Sequence, residues 1–121
     1  MEKLTQSEEE AMQAVWTCQN GTIKDFLEFI QEPKPPYTTL ASTVKNLEKK
    51  KFVFAKKNGN TFCYSALIEE EEYKRTFMGE FVSDYFSNSY KDLVTFFANQ
   101  EKISADELKE IIKMIEKGKE Q

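Results

Sequence analysis

The chain has 121 residues, of which 40% are hydrophobic and 31% charged, so it is long enough for one compact domain with an assembly segment and too apolar for wholesale disorder. It contains no histidine and only two cysteines, which removes the commonest general base and metal ligand. We therefore expect no catalytic activity, no metal and no cofactor. The N-terminus shows no signal peptide and no apolar run approaches a bilayer span, which predicts a cytoplasmic protein.

The net charge of −4 is distributed unevenly along the sequence. Residues 33–65 hold seven lysines and a single acid, Glu48, for a local charge of +6, whereas the rest of the chain carries −10. A basic block inside an acidic protein indicates a surface that binds a polyanion.

Two helices are predicted before the basic block. Thr5 and Glu8 have the spacing of a capping box, and apolar residues through Trp16 follow at helical intervals up to Asn20-Gly21, which we expect to end the first helix. Thr22 is the expected N-cap of the second helix. Residues 33–36 contain three prolines, so they form the turn that ends it.

A third helix is predicted over about residues 38–50. Its inner face carries Leu40, Val44 and Leu47, while its outer face is small, polar and basic. Side chains of this kind can approach base edges in a major groove. The residues predicted to contact base edges are Thr38, Thr39, Ser42, Lys45 and Asn46.

Two β-favouring runs follow, separated by Asn58-Gly59, which predicts a hairpin with a type I′ turn. Lysines and an amide near this hairpin and the third helix can donate to DNA phosphates. The predicted phosphate contacts are Lys34, Lys49, Lys50, Lys56, Lys57 and Asn58. A helix followed directly by a basic hairpin is the arrangement of a winged helix-turn-helix.

The remainder is predicted to form three helices that carry eight of the sixteen aromatic residues. We expect these helices to pair with those of a second subunit. The predicted dimer contacts are Tyr73, Phe77, Phe81, Tyr85, Phe86, Leu93, Val94, Phe97, Leu108, Ile111, Ile112 and Ile115. The fold class is thus mainly α with a small β-hairpin: a winged-helix DNA-binding domain over residues 1–67 and a helical dimerisation domain over residues 68–121.

The sequence resembles the penicillinase-repressor (BlaI/MecI) family along nearly its whole length. Leu4-Thr5, Glu8, Met12 and Trp16 are similar to the opening signature of that family. The recognition-helix segment of the family is similar to two runs in this sequence, Tyr37-Thr38-Thr39-Leu40 and Leu47-Glu48-Lys49-Lys50. Asn46 and Lys51 stand where the family commonly has Arg and Gly.

The resemblance implies a homodimeric repressor that binds a palindromic operator in double-stranded DNA. It also implies a membrane β-lactam sensor that triggers proteolytic release. The scissile bond of the family corresponds here to Phe96-Phe97, where Phe96 replaces the usual Asn.

Two other interpretations are compatible with the sequence. The third helix could bind an acidic protein surface instead of DNA. Alternatively, Tyr73, Phe77 and Phe81 could line a pocket for a small-molecule signal.

Overall fold

The computed structural model describes residues 1–119, which form six helices and a three-stranded antiparallel sheet. The chain divides into two compact units, Met1–Phe77 and Met78–Gln121, and the division falls within one helix. The elements of the first unit are α1 (Gln6–Cys18), β1 (Asn20–Gly21), α2 (Ile23–Phe29), α3 (Tyr37–Lys49), β2 (Val53–Asn58) and β3 (Thr61–Ala66). They are followed by α4 (Glu70–Phe86), α5 (Tyr90–Asn99) and α6 (Ala105–Lys119).

The first two helices begin at the residues that the sequence predicted. Thr5 accepts a hydrogen bond from the backbone N–H of Glu8, and the Glu8 carboxylate accepts one from the N–H of Thr5, which completes the capping box. Thr22 and Asp25 form the same reciprocal pair at the start of α2.

The core of the first unit lies where α1, α2 and α3 meet the sheet. Met12, Val15, Phe26, Val44 and Phe52 are completely buried there. Burial of each such side chain contributes about 1.5–3 kcal/mol, so this cluster dominates the stability of the unit. The result confirms the apolar stripes read from the three helical segments.

The end of α1 differs from the prediction. Gln19, with φ = 67°, takes the positive-φ position at the C-cap, while Asn20 and Gly21 form β1 and pair with Ser65 and Tyr64 of β3. Space at Gly21 is tight, because a Cβ there would lie 3.0 Å from a ring carbon of Phe26. The predicted hairpin is therefore a three-stranded sheet in the order β1-β3-β2.

The first turns of α4 complete the first unit. The indole Nε1 of Trp16 donates to the carbonyl of Ile68 at 2.9 Å, and the Trp16 ring lies 5.8 Å from that of Tyr73. Tyr73 also packs edge-on against Phe52 and accepts a hydrogen bond from the N–H of Leu4. The compact first unit therefore extends to Phe77, beyond the boundary predicted after residue 67.

The second unit contains the rest of α4, then α5 and α6. Ser89 caps α5, and Ser104 forms a capping box with Glu107 before α6. Rings of Phe86 and Phe96 lie 5.8 Å apart and join α4 to α5. Among the helices of residues 1–119, none is long and apolar enough to cross a membrane.

Candidate DNA-binding interface

Helix α3 is held on the first unit by Leu40, Val44 and Leu47, all at most 2% exposed. Pro36 occupies its N-cap position, and no side chain caps the N–H groups of its first turn. Uncapped N–H groups at a helix start can donate to a phosphate. Both ends of α3 lie within one residue of the predicted bounds.

The five residues predicted to contact base edges are all exposed on α3. Thr38, Thr39 and Ser42 offer short hydroxyl side chains, while Lys45 and Asn46 follow one turn later. The hydroxyl of Thr43, at the margin of this face, donates to the carbonyl of Thr39 at 3.0 Å and so points along the helix. The structure thus brings the five residues together on a face that carries no large apolar group.

The wing, residues 53–66, places three of the predicted phosphate contacts at its solvent-exposed end. Lys56, Lys57 and Asn58 are all exposed. The turn differs by one position from the prediction: Asn58 pairs with Thr61, so the two loop residues are Gly59 and Asn60. Gly59 has φ = 66° and Asn60 does not have a positive φ, which is the pattern of a type II′ turn rather than type I′.

The other three predicted phosphate contacts have different surroundings. Lys49 is exposed at the end of α3. The ammonium of Lys34 donates to the carbonyls of Leu27 and Glu28, at 2.9 and 3.3 Å, and thereby caps the C-terminus of α2. Lys50 is paired with the buried carboxylate of Glu8 at 2.7 Å. Both ammonium groups are therefore engaged in contacts within the fold, although Lys34 remains exposed at the surface.

The predicted dimer contacts also fall into separate groups. Tyr73 is buried in the first unit, so its side chain is not available to a partner; this corrects its place in the predicted interface. Phe77 packs against Tyr73 with ring centroids 4.7 Å apart. Half-buried members in the second unit are Phe86, Leu93, Phe97 and Leu108. Exposed members are Phe81, Tyr85, Val94, Ile111, Ile112 and Ile115.

Several residues of these surfaces were missed by the sequence analysis. Met78 and Met114 add to the exposed apolar surface of the second unit, and helical spacing from Phe81 and Ile111 was the available signal. Tyr37, the first residue of α3, and Phe62, in the wing, are also exposed. Both rings lie in segments whose polar residues were assigned to DNA contacts, and the rings themselves were given no role.

The cysteines are free and half-buried. Burial, followed by the negative charges of Asp25 and Glu28, raises the pKa of the Cys18 thiol above its ordinary value. A thiol with a raised pKa is a poor nucleophile at neutral pH. Cys18 is therefore a structural residue of the first unit rather than a reactive thiol.

A three-helix unit with a lysine-tipped wing and an exposed polar face on its third helix defines the winged-helix class of DNA-binding proteins. The penicillinase repressor family model matches residues 4–117. The chain belongs to this family, and the protein is a winged-helix transcriptional repressor rather than an enzyme.

The chain is similar to several individual proteins along most of its length. Methicillin resistance regulatory protein MecI of Staphylococcus aureus strain N315 is 27% identical over 116 residues, which cover 95% of this chain and 94% of the relative. The MecI protein of Mammaliicoccus sciuri is also 27% identical with the same coverage, over 120 residues. The penicillinase repressor of Staphylococcus aureus is 24% identical and covers 90% of this chain and 87% of its own. Among solved structures, Lactococcus lactis ZitR (C30AH42A mutant) aligns with a TM-score of 0.47 at 17% identity, over 98% of this chain and 75% of that one.

Proposed function

We propose that the protein is a dimeric, sequence-specific repressor that inserts α3 into the major groove of a palindromic operator. The observation that carries this proposal is the exposed face of α3, with its short hydroxyls, amide and lysine, flanked by the lysines of the wing. In this arrangement the base edges are contacted by five residues of α3: Thr38, Thr39, Ser42, Lys45 and Asn46. The contacts to phosphates come from Lys49, Lys56, Lys57 and Asn58.

Dimerisation is supported by the apolar surface of the second unit. Val82 is the only hydrophobic residue classed as buried between Met78 and Gly118, the part of that unit whose side chains are described. Ile112, Met114 and Ile115 of α6 are each more than half exposed. Apolar surface of this extent marks an interaction site, and a two-fold pair of these helices would cover it. Two copies of α3 would then address half-sites one helical turn, or a multiple of it, apart.

Release from DNA would follow from cutting the second unit. We place the cleavage at Phe96-Phe97, with a membrane sensor-protease as the partner and a β-lactam-resistance-type operon as the target. The support is the similarity to MecI and to the penicillinase repressor. Both residues lie inside α5, so this helix must open locally before the bond can enter an active site. The cut would separate α6 and its exposed isoleucines from the rest of the chain.

The proposal is tested by selecting bound fragments from a random duplex library with the full chain. We expect one inverted-repeat sequence to be enriched. Ser42→Ala and Lys45→Ala should then reduce the preference for that sequence by about 5- to 100-fold, because each removes a base-edge contact. Gln13→Ala, an exposed change on α1, is the matched control and should have no effect.

The selection also separates this proposal from the alternative of a protein-interaction module. A protein that used α3 to bind an acidic partner would enrich no sequence, and its α3 variants would bind random duplex as the wild type does. Either result would overturn the DNA-reading role.

A further inference from the structure

A groove of about 540 Å³ lies between the start of α3 and the wing. Its two sides carry large aromatic rings that are half exposed: Tyr37 at 54% on α3 and Phe62 at 49% on β3. Lys24, in the first turn of α2, also lines the groove. Exposed rings facing one groove from two elements form a surface ready to bind an apolar group.

The register of the wing fixes which side chains accompany Phe62. Lys57 is its cross-strand partner, so both point to the same face of the sheet. Tyr64, two residues along β3 on that face, is buried and lines the groove. Phe54, in contrast, pairs with Ser65 and points to the opposite face, where it is 44% exposed.

The charges around the groove favour an anionic occupant. The residues that line it, all within the described part of the chain, include Lys24 and no carboxylate. Lys57 is the cross-strand neighbour of Phe62 on the same face of the wing. An occupant with apolar edges and regularly spaced negative charges fits this combination. The deoxyribose-phosphate backbone has both properties.

We propose that Tyr37 and Phe62 form an aromatic cleft that holds the sugar-phosphate backbone of one DNA strand between α3 and the wing. The inference rests on the proposed DNA-binding function. With α3 in the major groove and the wing against the neighbouring backbone, the strand between them crosses this groove. The rings pack against deoxyribose, and Lys24 and Lys57 neutralise phosphates on either side.

If the cleft binds the backbone, loss of either ring should weaken DNA binding without changing its salt dependence. Phe62→Ala and Tyr37→Ala should each weaken binding about 5- to 30-fold, on operator and random duplex alike, because a sugar contact carries little sequence information. The slope of log affinity against log salt should stay unchanged, since no cation is removed. Phe54→Ala, an exposed ring of the same hairpin on the other face, should bind as the wild type does.

Photo-crosslinking tests the contact independently of the alanine variants, which could lose binding by folding poorly. A benzoylphenylalanine at position 62 should crosslink to duplex DNA, whereas the same group at position 54 should not. The proposed cleft is wrong if Phe62→Ala binds DNA with unchanged affinity, or if Phe54→Ala loses as much affinity as Phe62→Ala does. It is also wrong if positions 54 and 62 crosslink equally. Absence of DNA binding by the wild-type chain would instead reject the proposed function itself.

Discussion

The ammonium Nζ of Lys50 lies 2.7 Å from Oε1 of Glu8, so the end of α3 is tied to the first turn of α1. The same carboxylate oxygen accepts the N–H of Thr5 at 2.9 Å. The side chain of Glu8 is 7% exposed and that of Lys50 is 24% exposed. Because the pair is largely withdrawn from water, loss of one partner would leave a poorly solvated charge, which costs more than breaking a surface ion pair.

Removal of the lysine should therefore cost stability. Lys50→Ala leaves a buried carboxylate without its cation, and we expect the free energy of unfolding to fall by about 2–3 kcal/mol in urea titrations. Lys49→Ala, at the exposed neighbour, is the matched control and should change it by less than about 0.5 kcal/mol. Equal effects of the two substitutions would show that the ion pair contributes nothing specific.

The same ion pair should appear in the pH dependence of stability. Burial alone would raise the pKa of Glu8, but hydrogen bonds from Lys50 and the Thr5 N–H, together with the charge of Lys50, outweigh it and hold the pKa below its ordinary 4.5. The stabilisation is thus complete above about pH 4.5 and is lost as pH falls through the lower folded-state pKa. Glu8→Gln should flatten this part of the profile, whereas Glu10→Gln, at an exposed site, should not.

Lys51 provides a second stability test, at the end of α3. Its φ is 66°, and the N–H groups of Lys51 and Phe52 donate to the carbonyls of Glu48 and Leu47, which is the Schellman arrangement. Glycine adopts this conformation without strain, so Lys51→Gly should raise the free energy of unfolding by about 0.5–1 kcal/mol. Lys51→Ala removes the charge but keeps the strain, and it should give no gain. The measurement is urea unfolding at one fixed protein concentration.

The elements that depend on local chemistry were predictable from the sequence. The sequence predicts the capping box at Thr5, the proline turn before α3 and the existence of the hairpin. Each is decided by residues within a few positions of one another, which is why a linear sequence is sufficient.

The errors involve contacts between residues far apart in the sequence. Lys50 meets a carboxylate 42 positions away, and Tyr73 meets the N–H of Leu4 69 positions away. Strand β1 is two residues long and forms only because β3 lies beside it. The hairpin was predicted correctly, but the observed turn lies one residue later than predicted. Asn58 pairs with Thr61, which places Gly59 at the first loop position.

The wing lysines should act mainly through phosphates. Lys56→Ala combined with Lys57→Ala should weaken binding to operator and random duplex alike, and should reduce the salt slope by up to about 2. The comparison is with Phe62→Ala, which should weaken binding without changing the slope. An unchanged slope for the double lysine variant would show that the wing does not contact the backbone through these residues.

The apolar face of α6 should control the oligomeric state. Ile112→Ser with Ile115→Ser removes two exposed apolar side chains from each subunit, and a two-fold interface loses both copies of each contact. We expect dimer dissociation to increase by more than about 100-fold in sedimentation equilibrium, with a parallel loss of operator affinity. Lys109→Ser with Lys113→Ser makes the same number of changes to serine at charged positions of α6, and it should leave the dimer intact. If the variant with both isoleucines replaced stayed dimeric, α6 would not be part of the interface.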